Sequence, residues 1–324
     1  MAAPAVSVTD LLDRLRAFAI PMRTPFRGVT VRTGALIEGP AGWGEFSPFP
    51  EYGPRECARW LACAVEAATA GWPEPVRDSI PVNVTVPAVG PAQAHDLVAA
   101  AGCRTAKVKV AQRGQRDADD IARVEAVRDA LGPAGRIRID VNGGWDVSHA
   151  RRMLAALAPF GLEYAEQPCA TLDELAELRR HTDIPIAADE SIRRAEDPLR
   201  VRAAGAADIV VLKAAPLGGV RAALAIAAAC GLPVVVSSAV ESSVGLAAGA
   251  ALAAALPELR YDCGLATMSL LTGDVTAQPL AAAGGELPVR RAVVDQERLA
   301  AWETDPRPWR ERAAAAARYL PAAS

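Results

Sequence analysis

Short apolar runs rich in β-branched residues recur along the middle of the chain, with helical stretches between them. Each run is continuously apolar rather than alternating, which is typical of parallel strands covered on both faces. A helix is expected where Leu172, Leu175 and Leu178 recur on one face, after a capping-box pattern that starts at Thr171. We predict eight strands, at Val82–Val86, Ala106–Val110, Arg136–Val141, Leu162–Glu166, Pro185–Asp189, Asp208–Lys213, Pro233–Ser237 and Arg260–Cys263.

Strands that alternate with helices in this way predict an α/β fold, a modified TIM barrel of the (β/α)7β type. The alternative is a doubly wound open sheet, but the chain carries no glycine-rich phosphate turn after an early strand. We therefore assign residues 81–270 to the barrel.

The two ends of the chain do not show this alternation of strands and helices. We predict a strand at Gly28–Glu38, a helix at Arg55–Ala70 and a late strand at Leu287–Val294. Residues 1–80 are predicted to form an α+β capping domain, to which residues 271–324 return. We expect loops at Pro21–Arg27 and Phe46–Gly53 to cover the mouth of the barrel.

Composition excludes several classes of protein. With 51% hydrophobic residues, 23% charged residues and a net charge of −3, the chain has no basic face for nucleic acid. The uncharged run Ala222–Val240 is interrupted by Gly231 and Pro233, so we interpret it as a helix, a turn and a buried strand rather than a membrane span. The six cysteines have no metal-type spacing, which indicates reduced thiols and a cytoplasmic location.

Lysine is almost absent from the chain. Of 35 basic residues only Lys107, Lys109 and Lys213 are lysines, and the rest are arginines. Arginine replaces lysine in most surface roles but keeps its proton near neutral pH, so the three remaining lysines are candidates for amine chemistry. Lys107 and Lys109 are two residues apart on a predicted strand and therefore point to the same face.

Carboxylates follow the same rhythm as the lysines. Asp140, Glu166, Asp189 and Lys213 succeed one another at intervals of 26, 23 and 24 residues, about one βα unit each. Three carboxylates that converge inside a barrel repel one another unless a cation lies between them. Because all the ligands are oxygen atoms, we predict Mg²⁺, with Mn²⁺ as a possible substitute. The three histidines fall on predicted helices and are not expected to bind metal.

Cations around a metal site are typical of chemistry that passes through an anionic intermediate. A carboxylate substrate that binds the metal has an acidified α-proton, which a neutral lysine can remove. We expect the ammonium of Lys107 and the metal to lower the pKa of Lys109 toward roughly 7–8. Lys213, on the opposite wall, is expected to face the developing enediolate as a fixed cation.

These motifs resemble the enolase superfamily, in particular its muconate-lactonizing subgroup. The matching segments, which together span the barrel, are Lys107-Val-Lys109, Asp140-Val-Asn142, Glu166-Gln-Pro168, Asp189-Glu-Ser191 and Lys213. The stretch Gly42-Trp-Gly44-Glu45 is similar to the N-terminal lobe of that family. The resemblance implies a barrel, bound Mg²⁺ and α-proton abstraction from a small carboxylate substrate.

Within the subgroup, Ser237–Gly245 and Tyr261-Asp-Cys-Gly264 are similar to a branch that belongs to menaquinone biosynthesis. Its members eliminate water from 2-succinyl-6-hydroxy-2,4-cyclohexadiene-1-carboxylate to give 2-succinylbenzoate. The resemblance implies Lys109 as the base, Lys213 as the cation, and Asp140, Glu166 and Asp189 as the metal ligands. Further substrate-binding residues that we predict are Asn142, Arg138, Ser237, Ser238 and Gly264, together with Arg27 and Met22 from the covering loop.

The alternatives are other activities of the subgroup: racemisation of N-succinylamino acids, epimerisation and cycloisomerisation. Racemisation of N-succinylamino acids would use Lys109 and Lys213 as two opposed bases. Dipeptide epimerases usually carry an Asp-x-Asp pattern near the end of the eighth strand, whereas Asp262 is followed here by Cys263 and Gly264. We expect no nucleic-acid or membrane partner.

Overall fold

An antiparallel sheet with one helix packed on it forms the N-terminal part of the computed structural model, which describes residues 7–26, 28–193 and 198–320. Helix α2 approaches this sheet closely, because Gly44 has no Cβ to collide with the carbonyl oxygen of Ala64. The elements in chain order are α1 (Val8–Asp13), β1 (Arg16–Phe26), β2 (Val29–Gly39), β3 (Gly42–Phe46) and α2 (Pro54–Thr69).

A parallel sheet of seven strands follows, in the order β5-β6-β7-β8-β9-β10-β11. Every one of these strands coincides with a predicted strand, as the continuous apolar runs indicated. The elements are β4 (Ser79–Pro81), β5 (Val84–Val86), α3 (Pro91–Ala101), β6 (Thr105–Lys109), α4 (Asp117–Leu131), β7 (Arg136–Asp140), α5 (Val147–Leu157), β8 (Leu162–Glu166), α6 (Leu172–Arg179), β9 (Ile186–Ala188), α7 (Glu190–Arg193), α8 (Arg200–Ala203), β10 (Ile209–Leu212), α9 (Ala214–Leu217), α10 (Val220–Cys230), β11 (Val234–Val236) and α11 (Ser243–Ala255).

Two residues close the sheet into a barrel. Cys263 bridges Val82 and donates its backbone N–H to the carbonyl of Pro81 at 2.7 Å, while Gly264 bridges Ser237. The predicted eighth strand at Arg260–Cys263 is therefore wrong as a regular strand, because only single bridges tie this segment to each neighbour. The closure nevertheless confirms the (β/α)7β barrel and excludes the open sheet.

The C-terminal part returns to the N-terminal lobe. Strand β13 pairs with β1, so both ends of the chain share one sheet of order β13-β1-β2-β3 and form the predicted discontinuous lobe. The domain boundaries at residues 80 and 270 stay predictions. The elements of this part are β12 (Glu286–Pro288), α12 (Gln296–Trp302), β13 (Glu303–Thr304) and α13 (Arg307–Ala317).

Two expectations at the ends of the chain need correction. The predicted late strand is short, because only Glu286–Pro288 finds a partner, in β4. The predicted loop at Pro21–Arg27 is mostly strand, because β1 continues to Phe26 against β2. Arg27 itself lies outside the described residues.

The apolar run Ala222–Val240 contains the end of α10, a left-handed turn at Gly231 and strand β11, as predicted. No helix in the described part of the chain is long and apolar enough to cross a membrane. All six cysteines are buried free thiols.

Candidate active site

Lys107 and Lys109 on β6 meet the carboxylates of the next two strands. The register sets Lys109 beside Asp140, and Asp140 beside Glu166. Lys107 Nζ lies 3.0 Å from both carboxylate oxygens of Glu166 and 3.3 Å from Asp140 Oδ2. Lys109 Nζ donates to Asp140 Oδ2 and, at 2.8 Å, to Asn142 Oδ1. The spacing of charges at the strand ends thus brings two lysines and two carboxylates into one cluster.

Lys213 enters the same space from the other side of the barrel, since three strands, β7, β8 and β9, lie between β6 and β10. Its Nζ donates to Asp189 Oδ2 at 2.7 Å, and Arg193 Nε donates to Asp189 Oδ1 at 3.1 Å. The side chain of Gln167 accepts the backbone N–H of Asp189 at 3.0 Å and so helps to orient it. None of the three lysines and three carboxylates is more than 8% exposed.

Burial and pairing shift the pKa values of these groups in opposite directions. Burial alone raises the pKa of Asp140, but Lys109 and Lys107 outweigh it, so this pKa lies well below its ordinary value. Burial also raises the pKa of Asp189, but the positive charges of Lys213 and Arg193 outweigh burial, so this pKa too lies well below its ordinary value. Glu166 is different: burial, reinforced by Asp140, raises its pKa to about 7. Its negative charge is therefore the least compensated of the three.

The three carboxylates fit a hard divalent cation in charge and in donor chemistry, because oxygen is the donor atom that Mg²⁺ prefers. Among the described residues, no group of three or more His, Cys, Asp or Glu side chains is placed closely enough to hold a metal ion. The lysine ammonium groups contact the carboxylates instead. The Mg²⁺ site remains a prediction that rests on the donor set.

The other predicted residues divide into two groups. Ser237, Ser238 and Gly264 line the cavity that the three lysines enter, and Asn142 joins the cluster through Lys109. The structure does not bring Arg138 or Met22 there. Met22 forms an isolated bridge with Leu271, and neither residue lines the cavity.

Arg138 lies two residues before Asp140 on β7, one layer deeper in the barrel. Its guanidinium donates to Glu163 Oε2 at 2.6 Å, to Asn83 Oδ1 at 3.1 Å and to the carbonyl of Asp262 at 2.6 Å. These partners draw the side chain away from the lysines, so its predicted contact with substrate has no support from its position.

Three aromatic residues from the capping lobe complete the cavity: Phe26 and Phe49 lie in the two segments expected to cover the barrel mouth, whereas the sequence patterns did not indicate Trp60. The Phe26 ring centroid lies 4.9 Å from Lys109 Nζ, and Phe49 and Trp60 also line the space. The volume of the cavity is about 30 Å³, enough for a water molecule but not for a ring-sized substrate. Entry of a ring-sized substrate therefore requires side chains that line the cavity to move.

A larger cavity of about 410 Å³ lies outside this site, where Arg23 of β1 and Arg298 of α12 approach the segment that contains Met268. None of the three lysines lines it. Volume does not identify the site, because two further cavities, of about 640 and 660 Å³, are larger still; the buried charges identify the small one.

Replacement of Gly264 by alanine is expected to destabilise the protein. A Cβ at this position would lie 2.5 Å from Ser237 Oγ and 3.2 Å from Ser237 Cβ, so the barrel closure must shift. We expect the free energy of unfolding, measured by urea denaturation, to fall by about 1–3 kcal/mol. Adding Ser237→Gly should recover most of this loss, whereas Gly90→Ala, where a Cβ meets nothing within 4 Å, is the matched control. A loss that Ser237→Gly does not reduce would contradict the collision.

Comparison with known proteins agrees with this arrangement. Residues 91–293, more than half of the chain, match the family described as "Enolase C-terminal domain-like", and residues 17–68 match "Enolase N-terminal domain-like". The chain therefore belongs to the enolase superfamily, as its motifs indicated. Sites in this superfamily pair a lysine or histidine base with Mg²⁺.

Two relatives share a more specific name. An "o-succinylbenzoate synthase" of Thermobifida fusca (strain YX) is 70% identical over 93% of this chain and 95% of its own length. A protein of the same name from Mycobacterium marinum (strain ATCC BAA-535 / M) is 58% identical over 91% of this chain and 90% of its own. Among solved structures, a muconate lactonizing enzyme from Pseudomonas fluorescens, complexed with muconolactone, superposes with a TM-score of 0.76 at 26% identity, covering 90% of this chain and 98% of that one.

Proposed function

We propose that this chain is an o-succinylbenzoate synthase, which dehydrates 2-succinyl-6-hydroxy-2,4-cyclohexadiene-1-carboxylate to 2-succinylbenzoate in menaquinone biosynthesis. The relatives at 70% and 58% identity support the assignment. The observation that carries it is that Lys109 and Lys213 enter one cavity from opposite sides, among three buried carboxylates.

The base is Lys109. In the neutral state its amine takes the proton from the ring carbon that bears the carboxylate, and Asp140 and Asn142 orient the ammonium that results. The same ammonium then protonates the hydroxyl on the adjacent carbon, so that the C–O bond breaks and water leaves. Both transfers use one face of the ring, which makes the elimination syn. The new double bond completes the aromatic ring.

Lys213 stabilises the enediolate that forms between these two transfers, because it presents a fixed positive charge opposite the base. Asp140, Glu166 and Asp189 would hold Mg²⁺, which supplies Lewis-acid stabilisation of the substrate carboxylate when bound. Ser237, Ser238 and the backbone at Gly264 line the space for the remainder of the substrate.

Assay of the purified protein with the cyclohexadiene substrate tests the proposal directly. We expect Mg²⁺-dependent appearance of the aromatic product, followed by chromatography. Absence of product under these conditions, with a folded protein, would reject the assignment.

Racemisation of N-succinylamino acids is the second candidate, because two lysines on opposite walls also suit a two-base mechanism. Proton exchange distinguishes the two, since only a racemase needs both Lys109 and Lys213 to exchange protons with substrate. Incubation of each enantiomer of an N-succinylamino acid in D₂O would show whether both lysines do so.

Substitutions of Lys213 are expected to distinguish a fixed cation that stabilises the enediolate from a second base. Lys213→Met removes the cation that faces the enediolate and should lower kcat for dehydration by about 10²- to 10³-fold. Lys213→Arg keeps a cation and should cost no more than about 10-fold, because it needs no proton transfer. Equal and complete loss in both variants, measured by steady-state kinetics, would favour the two-base racemase.

We further propose that the protein works in the cytoplasm, on a small carboxylate substrate. The six buried free thiols suit a reducing compartment.

A further inference from the structure

Arg32 of β2, a residue of the capping lobe, contacts both walls of the active-site cavity while only 2% exposed. Its Nε donates to the carbonyl of Val240 at 3.0 Å, and its Nη2 donates to the hydroxyl of Ser47 at 2.9 Å. Its Cζ lies 4.6 Å from the centroid of the Phe49 ring. Val240 and Phe49 both line the cavity. One guanidinium thus joins a barrel loop to a lobe segment across the site.

The barrel loop that it holds has a strained backbone. Val240 has a φ of +62°, in the left-handed region that β-branched residues rarely adopt. Its N–H donates to Ser238 Oγ at 3.0 Å, and its carbonyl is the group that Arg32 holds. Such a conformation persists only where surrounding contacts impose it. Ser237, Ser238 and Ala239, which precede Val240 in the chain, also line the cavity.

A carboxylate of the same lobe holds the far end of this loop. Glu45 accepts the backbone N–H groups of Ser242 and Gly245, each at 3.1 Å. The hydroxyl of Ser47 receives a hydrogen bond from Arg32 and donates to Glu45 Oε1 at 2.7 Å. The guanidinium and the carboxylate therefore act as one unit, and the loop is attached to the lobe at both ends.

We infer that Arg32 is a positioning residue, which holds Val240 in its left-handed conformation and so sets the cavity wall formed by Ser237 to Val240. The inference deepens the proposed function and rests on it for its kinetic readout. Docking of the lobe therefore shapes part of the active-site wall that belongs to the barrel, in addition to covering the active site.

Arg32→Lys tests the inference, because a single ammonium keeps the charge but cannot bond Val240 and Ser47 in the same fork. We expect kcat for dehydration to fall by about 10- to 100-fold, as misplaced site groups cause, in a protein that remains folded. Arg77→Lys is the matched control: Arg77 also donates to barrel carbonyls, those of Ala253 and Leu256, but lies away from the cavity. It should stay within about twofold of the parent.

Rescue distinguishes positioning from general stability. Glycine adopts a positive φ without strain, so Val240→Gly should restore at least half of the activity lost in Arg32→Lys, on a logarithmic scale. The reference is the Val240→Gly single variant, which accounts for the loss of the valine side chain. Wild-type activity in Arg32→Lys, or a double variant no better than Arg32→Lys, would overturn the inference.

Amide hydrogen exchange gives a readout that does not depend on the substrate. In Arg32→Lys, the peptide that covers residues 237–242 should exchange faster than in the parent, and in Arg77→Lys it should not. If the parent lacks dehydratase activity, the proposed function fails, and this exchange result still decides the role of Arg32. Unchanged exchange of residues 237–242 in Arg32→Lys would reject the positioning role.

Discussion

Lys109→Arg is expected to abolish dehydration, with a fall in kcat of about 10³- to 10⁴-fold. Arginine retains the positive charge that pairs with Asp140, but its guanidinium does not release a proton near neutral pH and so cannot act as the base. The change therefore removes proton transfer while leaving the charge of the cluster nearly unaltered. Steady-state assays of the aromatic product measure the loss.

Two controls accompany this variant. Its melting temperature should remain close to that of the parent, since an arginine at this position can still form an ion pair with Asp140. Deuterium incorporation from solvent into a substrate analogue that carries an α-proton should also stop. Exchange at near the parent rate would remove Lys109 as the base and transfer that role to another amine.

Removal of divalent metal is expected to have an equally large effect. Acting as a base requires Lys109 to be neutral, and a neutral amine no longer compensates the buried carboxylate of Asp140. Breaking a buried ion pair costs about 3–5 kcal/mol. Lys107, which Asp140 shares with Glu166, compensates only part of this cost, and a divalent cation offsets the rest. We expect exhaustive chelation to lower activity by about 10³-fold or more, because several kcal/mol of charge stabilisation is lost.

The divalent ion that restores activity to the chelated protein identifies the metal that the site binds. Mg²⁺ should recover activity fully and Mn²⁺ at least in part, as an all-oxygen donor set favours. In the chelated protein, added Mg²⁺ should also raise the melting temperature, because an ion that binds only the folded state stabilises it. Glu166→Gln should weaken both responses. Full activity after complete chelation would reject the metal site and, with it, the roles given to the three carboxylates.

The strand-end charges could be predicted because the barrel repeats with a nearly constant period along the chain. A residue's position in a βα unit sets its height, so Lys109, Asp140 and Lys213 line one cavity, and lysines of the site contact Glu166 and Asp189. That the three carboxylates bind one metal ion stays a prediction. Arg138 shows what periodicity leaves out. Its height on β7 is known from the sequence, but the direction of its long side chain depends on Glu163 of β8 and on Asn83, which lies between β4 and β5.

The lobe's contribution to the cavity could be predicted only in part. The segments that carry Phe26 and Phe49 were expected at the barrel mouth, but the contact of Arg32 with Val240 joins distant parts of the chain, and no local period marks such a contact. The closing segment shows the same limit: single bridges at Cys263 and Gly264 complete the ring, where an apolar run suggested a longer strand.

The burial of Lys107, Lys109 and Lys213, at most 8% exposed, leaves the exterior of the protein without a single ε-amine. Acylating reagents and amine cross-linkers will therefore find almost nothing to modify except the terminal amine. Inactivation by a small amine-specific reagent would then report on these three lysines rather than on surface ε-amines.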